Sequence, residues 1–190
     1  AALLLPAALP ALAQDADPVL GQCETRLSAC DPQGHTEQET AFGDFMTDAM
    51  RWASGADIAL LPCGELGNHL QSGPVTRSDL AFCLQNDGAL AIADMTAAEL
   101  WEELEHSVSH YTLFDDQTID WENTRFPGFM QVSGLRVTYS VTAPPGERIL
   151  RLTLEDGTEL RRDDDSVRLS VISTAAALAG EYGYPAFREA

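Results

Sequence analysis

Lysine is absent from this chain: all 11 basic residues are arginine, set against 30 acids, for a net charge of −19 over 190 residues. Neutralising a phosphate backbone takes clustered basic residues, and a uniformly negative field repels nucleic acid and anionic lipid, so a nucleic-acid partner is excluded. Cysteine is scarce, at four, and no two form the Cys-x-x-Cys spacing of a zinc site. Histidine is as scarce. His35, His69, His106 and His110 are too few to build the His, Asp and Asn ligand set of a two-metal hydrolytic centre. The Gly-x-Ser-x-Gly elbow is missing, and Ser133 and Ser170 lie in strand-like stretches, so a serine nucleophile has no support. No segment reaches the roughly 18 apolar residues of a membrane span.

What is present is an ordinary globular composition, 45% hydrophobic and 22% charged, in a chain long enough to bury roughly 70% of its unfolded surface. Residues 1–13 are uncharged and almost wholly Ala and Leu, with small residues at Ala11 and Ala13, and they read as an export signal whose beginning is missing. Thirteen helical residues span only about 20 Å, short of a roughly 30 Å hydrocarbon core, which makes a retained anchor the weaker reading. Export makes Cys23, Cys30, Cys63 and Cys83 candidates for disulfides; three pairings are open, and proximity favours Cys23–Cys30 with Cys63–Cys83. The location expected is periplasmic or secreted.

Residues 14–34 are polar and turn-rich, an irregular lead-in. Phe42, Phe45, Met46, Ala49, Met50 and Ala53 then recur at three- and four-residue spacing, which predicts an amphipathic helix stopped at Gly55. Asp57 to Leu61 has the length of a buried strand, 62–73 reads as a loop, and 89–95 is apolar again. Thr96 with Glu99 predicts a capping box ahead of a helix carrying Leu100, Leu104 and Val108. Residues 110–128 form a long aperiodic connection; 132–141, 149–154 and 167–172 read as strands, and 175–183 is a segment rich in small residues. The class predicted is mixed α/β, a single domain with one mixed sheet flanked by helices.

Several blocks occur in an informative order. They are Glu39-Thr40-Ala41-Phe42-Gly43-Asp44 with Asp48-Ala49-Met50, Gly55-Ala56-Asp57-Ile58-Ala59-Leu60, Gly73-Pro74-Val75-Thr76, Ala93-Asp94-Met95-Thr96, Gln131-Val132-Ser133-Gly134-Leu135-Arg136 and Gly183-Tyr184-Pro185. Together they resemble the C-terminal domain of the 5′-nucleotidase family, exported enzymes that hydrolyse nucleotides and nucleotide sugars, and place that domain at 35–190. The resemblance implies that a separate N-terminal metallophosphatase domain holds two metals and does the chemistry, while this domain recognises the nucleotide.

Against that pattern the recognition residues are depleted. The family's Asn-Gly-Gly-Gly-x-Arg loop falls on Pro62, Cys63, Gly64, Glu65, Leu66 and Gly67, without the arginine. Its Pro-Phe-Gly-Asn falls on Gln85, Asn86, Asp87 and Gly88; its second stacking Phe falls on Ala176, and the Asp of its closing Gly-Gly-Asp-Gly-Tyr on Tyr182. Each lost stacked face is worth about 1–3 kcal/mol and the arginine fork several charge-assisted bonds. The pocket positions carried over are therefore Gly64, Glu65, Asn86, Asp87, Tyr182 and Tyr184, with no catalytic residue, cofactor or metal ligand expected.

His106 and His110, near Glu102 and Glu103, have metal-binding spacing but read as an exposed helix end. Asp163-Asp164-Asp165 lacks the alternation of a calcium loop. Tyr182, Tyr184, Phe187, Trp121 and Phe126 read as core and rim more than as a new pocket. Arg77, Arg125 and Arg136 offer anion contacts or surface pairs. The expected function is a non-catalytic binding or assembly module whose partner is another periplasmic or membrane protein. The alternative is the recognition subunit of a split nucleotide hydrolase with a separate metallophosphatase chain; alone, the domain is not expected to hydrolyse.

Overall fold

The segment Ile58–Pro62 is buried at every position. Ile58 and Leu60 join one hydrophobic cluster and Ala59 and Leu61 another, so the two-residue alternation of a strand puts an apolar layer on each side of it. The computed structural model describes residues 17–31, 34–85 and 88–185. In chain order its elements are β1 (Val19–Cys23), α1 (Ala41–Ser54), β2 (Ile58–Pro62), β3 (Gly73–Thr76), α2 (Arg77–Cys83), β4 (Leu90–Thr96), α3 (Ala97–Ser109), β5 (Met130–Ser133), β6 (Leu135–Tyr139), β7 (Ile149–Leu154), β8 (Glu159–Leu160), β9 (Arg168–Thr174) and α4 (Ala175–Leu178). Short 3-10 turns lie at Cys63–Glu65 and Glu181–Gly183.

The main sheet has the order β4-β9-β2-β5, with β9 and β2 parallel and the outer pairs antiparallel. Helix α1 covers one face through Phe42 and Met50, which pack with Ala59, Leu61 and Ile172. Helix α3 covers the other through Leu100, Leu104 and Val108, which pack with Ile58, Leu60, Val171 and Leu152 of β7. The mixed α/β class is as expected, and two small sheets accompany the main one: β6-β7-β8 and the pair β1-β3.

Local signals explain the helix ends. Gly55 caps α1 with φ +72°, and the Thr40 hydroxyl accepts the Gly43 N–H at its start. Thr96 and Glu99 form the expected box at the start of α3, and Thr76 with Asp79 forms another that starts the seven-residue helix α2, which sequence periodicity alone was too short to disclose.

Two expectations are corrected. The lead-in is not irregular throughout: Val19 to Cys23 form an antiparallel ladder with Gly73–Thr76, and Leu27 and Leu70 exchange backbone hydrogen bonds of 2.9 and 3.0 Å. Nor is it pinned by a disulfide, for Cys23, Cys30, Cys63 and Cys83 are all free. The expected Cys63–Cys83 partners join different hydrophobic clusters, Cys63 that of α3 and Cys83 that of α1, and the Cys63 sulfur faces the Phe126 and Pro127 carbonyls while that of Cys83 faces the His69 carbonyl. Cys23 Sγ lies 2.8 Å from the Thr25 carbonyl, while Cys30 Sγ turns to His69 Nε2 at 4.0 Å. Among the described residues no helix is long and apolar enough to cross a membrane. The leader expected at 1–13 lies outside them.

Candidate functional site

Ligands of open α/β sheets gather beyond the carboxyl ends of parallel strands, here β2 and β9. Past β2 the chain tightens into the Cys63–Glu65 turn; past β9 the Thr174 hydroxyl caps α4 and the chain turns again at Glu181–Gly183. A third wall comes from the segment before β5, where the Pro127 and Phe129 carbonyls accept the N–H groups of Gly64 and Cys63, each at 2.7 Å. The segment after α2 closes the fourth side: Gln85 N–H donates to the Glu65 carbonyl and Gly67 N–H to the Cys83 carbonyl, each at 2.8 Å.

These loops bring Gly64, Glu65 and Tyr182 together. A Cβ added to Gly64 would lie 2.9 Å from Pro127 Cβ and 3.3 Å from Tyr182 Oη, and one added to Gly128 would lie 2.7 Å from Tyr182 Cβ. Tyr182 therefore occupies space that two glycines leave open. Its backbone is left-handed, with φ +62°, a conformation rare for a bulky side chain and worth about 1–3 kcal/mol of strain. His106 Nε2 donates to the Tyr182 carbonyl at 3.0 Å and holds the turn. Burial, and then the carboxylates of Glu65 and Glu181, push the Tyr182 phenol up to about 12. Two carboxylates thus act on that hydroxyl, and their negative charge disfavours a phosphate.

The remaining expected positions separate. Tyr184 is fully buried, its hydroxyl donating to the Gly128 carbonyl, and so belongs to the core instead of a pocket wall. Asn86 and Asp87 lie outside the described residues. Ala176, where the resemblance places a stacking ring, is an exposed methyl on α4, and Phe82 is 70% exposed on α2. The thiol of Cys63, buried beneath the turn, faces the carbonyls of Phe126 and Pro127, and burial pushes it up to about 12. The Phe126–Gly128 wall and the His106 anchor were not foreseen; Gly128 behind Pro127 was the one local hint of a close approach.

Other candidates resolve into structure. His106 and His110 pack edge to face, and His110 stacks on Phe126 with ring centroids 3.6 Å apart; burial, then His106, lowers its pKa. Among the described residues no group of three His, Cys, Asp or Glu side chains is placed to hold a metal ion. Ser133 and Ser170 donate to Asp48 and Asp57, and Asp164 accepts from Ser166 in its own turn. Trp121 stacks on His35 at 4.1 Å.

The sequence profile of the family described as 5′-nucleotidase, C-terminal domain matches residues 19–189. The trifunctional nucleotide phosphoesterase protein YfkN of Bacillus subtilis is 28% identical over 160 residues, 80% of this chain and 10% of that protein. The crystal structure of a 5′-nucleotidase precursor from Thermus thermophilus superposes with a TM-score of 0.75 at 26% identity, covering 90% of this chain and 32% of that one. The NAD nucleotidase of Haemophilus influenzae, at 18% identity, shares the fold with a TM-score of 0.66, covering 92% of this chain and 31% of that one. The chain thus spans a tenth of the Bacillus protein and about a third of the two solved structures. By the profile match and the order of its elements, the chain belongs to the 5′-nucleotidase C-terminal domain family.

Proposed function

We propose that this domain keeps the family framework but no longer binds a nucleotide in the family manner, and that it works as a non-catalytic binding or assembly module of an exported protein. The observation that carries the reading is Tyr182, strained into a left-handed backbone and seated over Gly64 and Gly128 with Glu65 beside its hydroxyl. A nucleotide entering there must displace a tyrosine and bring phosphate toward two carboxylates, with no arginine at the loop position where the family carries one. The uncharged Ala- and Leu-rich leader supports export. The partner is another periplasmic or membrane protein.

Titration calorimetry with AMP, adenosine and a nucleotide sugar tests this. The reading expects no heat beyond dilution up to on the order of 1 mM ligand, about −4 kcal/mol of binding free energy. Micromolar binding of any of the three would overturn it.

A second reading draws on the family match: the domain is the recognition part of a nucleotide hydrolase whose metallophosphatase half is a separate chain. Exposed interdomain linkers make such division physically easy. Metal-dependent nucleotidase activity that appears only when the two polypeptides are mixed would favour it, and an inert mixture would dismiss it.

A further inference from the structure

The strand β5 closes the main sheet on one side, and among the described residues no strand pairs with its far edge. Phe129 directs its carbonyl to Cys63 on the β2 side, whereas Met130 turns its N–H the other way, to Ser107 Oγ on α3 at 2.9 Å. Main-chain direction alternates along a strand, so Val132 points its N–H and C=O to the same outer side as Met130. That edge runs along a cleft of about 440 Å³ between α3, β5 and β6. Its floor is apolar, formed by Leu104, Val108, Phe129 and Val137, the first three buried. Arg136 and Glu39 also line it, and neither has an ion-pair or hydrogen-bond partner among the described residues.

We propose that this cleft binds the carboxyl-terminal end of an extended peptide that finishes in an apolar residue. The volume falls in the range of small-ligand sites, and each component answers one part of such a ligand. The open edge of β5 pairs with the peptide's last amide, the mode by which an extended segment adds to a sheet. The apolar floor receives the last side chain. Arg136 meets the free carboxylate, a single negative charge, while Glu39, which lines the same cleft, penalises a dianion such as a phosphate monoester. An aliphatic acid would use the floor and the arginine but leave the edge unpaired, so the amide is the distinguishing feature. Of these residues only Phe129 belongs to the segments around Tyr182, through its backbone carbonyl, and the Val132 amide and Arg136 report on the cleft separately from nucleotide binding.

The test is a heteronuclear NMR titration of the full chain with N-acetyl-L-phenylalanine. The expected result is a saturable shift of the Val132 amide. Binding should weaken about tenfold or more for N-acetyl-L-phenylalaninamide, which lacks the carboxylate, for 3-phenylpropionate, which lacks the amide, and for the Arg136→Ala chain, as loss of a charge-assisted or edge hydrogen bond requires. Arg136 is exposed, so that variant should keep the native spectrum elsewhere. The proposal is overturned if the Val132 amide does not shift saturably, if either control compound binds as well as the acetylated acid, or if Arg136→Ala leaves binding unchanged in a folded chain.

Discussion

Tyr182 holds its hydroxyl 3.3 Å from the point where a side chain on Gly64 would begin. The absence of a side chain at Gly64 is thus a condition for the tyrosine to lie where it does, and the pair fixes the shape of the loops beyond β2 and β9. Gly64→Ala would press a methyl against Pro127 as well, 2.9 Å from its Cβ. We expect a loss of about 1–3 kcal/mol, the usual cost of overpacking, read from urea unfolding. Unchanged stability would mean that the Tyr182 turn yields easily, and the account of a filled site would weaken.

A similar reciprocity joins Gly43 and Gln131. The Gln131 amide reaches through the start of α1, its oxygen accepting the Thr40 N–H at 2.9 Å and its nitrogen donating to the Gln38 carbonyl at 2.8 Å. A Cβ on Gly43 would fall 2.1 Å from that oxygen. Gly43→Ala should therefore cost about 2–4 kcal/mol through clash and lost hydrogen bonds. In a chain already carrying Gln131→Ala the clash is gone and alanine's helix preference helps, so the same substitution should be close to neutral. Additive effects in this double-mutant cycle would contradict the contact.

Asp44 gives the chain a pH signature. Burial, and then its neighbours Glu39 and Asp48, raise its carboxyl from 3.8 to about 6. Because the folded value lies above the unfolded one, the contribution of the protonated acid to stability is complete below about pH 4 and disappears as pH rises through about 6. Asp44→Asn should then raise the melting temperature at pH 7 and leave it unchanged near pH 4. Thermal melts at the two pH values check this, and equal melting temperatures at pH 7 would rule it out.

The thiols sort by burial. Cys63, with its thiol pushed up to about 12 and its sulfur buried, should resist an aromatic disulfide reagent in the folded chain, while the partly exposed Cys23 and Cys30 react. Unfolding in denaturant without reductant should release four reactive thiols. A count below four would show that disulfides form, against the free arrangement described here.

Much of this architecture is legible in the residues. Phe42 and Met50 announce the buried stripe of α1, Gly55 its end, and Thr96 with Glu99 the start of α3, because each is a signal confined to a few neighbouring positions. The ladder between β1 and β3 is not legible, since its contacts are backbone groups far apart in sequence and the Val19 and Leu20 side chains remain exposed. Burial of Glu105 is equally hidden: its carboxylate accepts the N–H groups of Gly146, Arg148 and Ile149, which no local pattern links to α3. At the candidate site the same limit appears. Tyr182 and Tyr184 are alike in sequence and two residues apart, yet one fills the glycine slot and the other lies in the core, a distinction set by the left-handed turn at Tyr182.

Heteronuclear NMR of the chain with adenosine addresses the central claim most directly, by following the amides of Gly64, Glu65, Gly67 and Tyr182. The filled-site account predicts no saturable shift at these four up to on the order of 1 mM ligand. Saturable shifts there, accompanied by contacts from the purine to an aromatic ring of the chain, would contradict it.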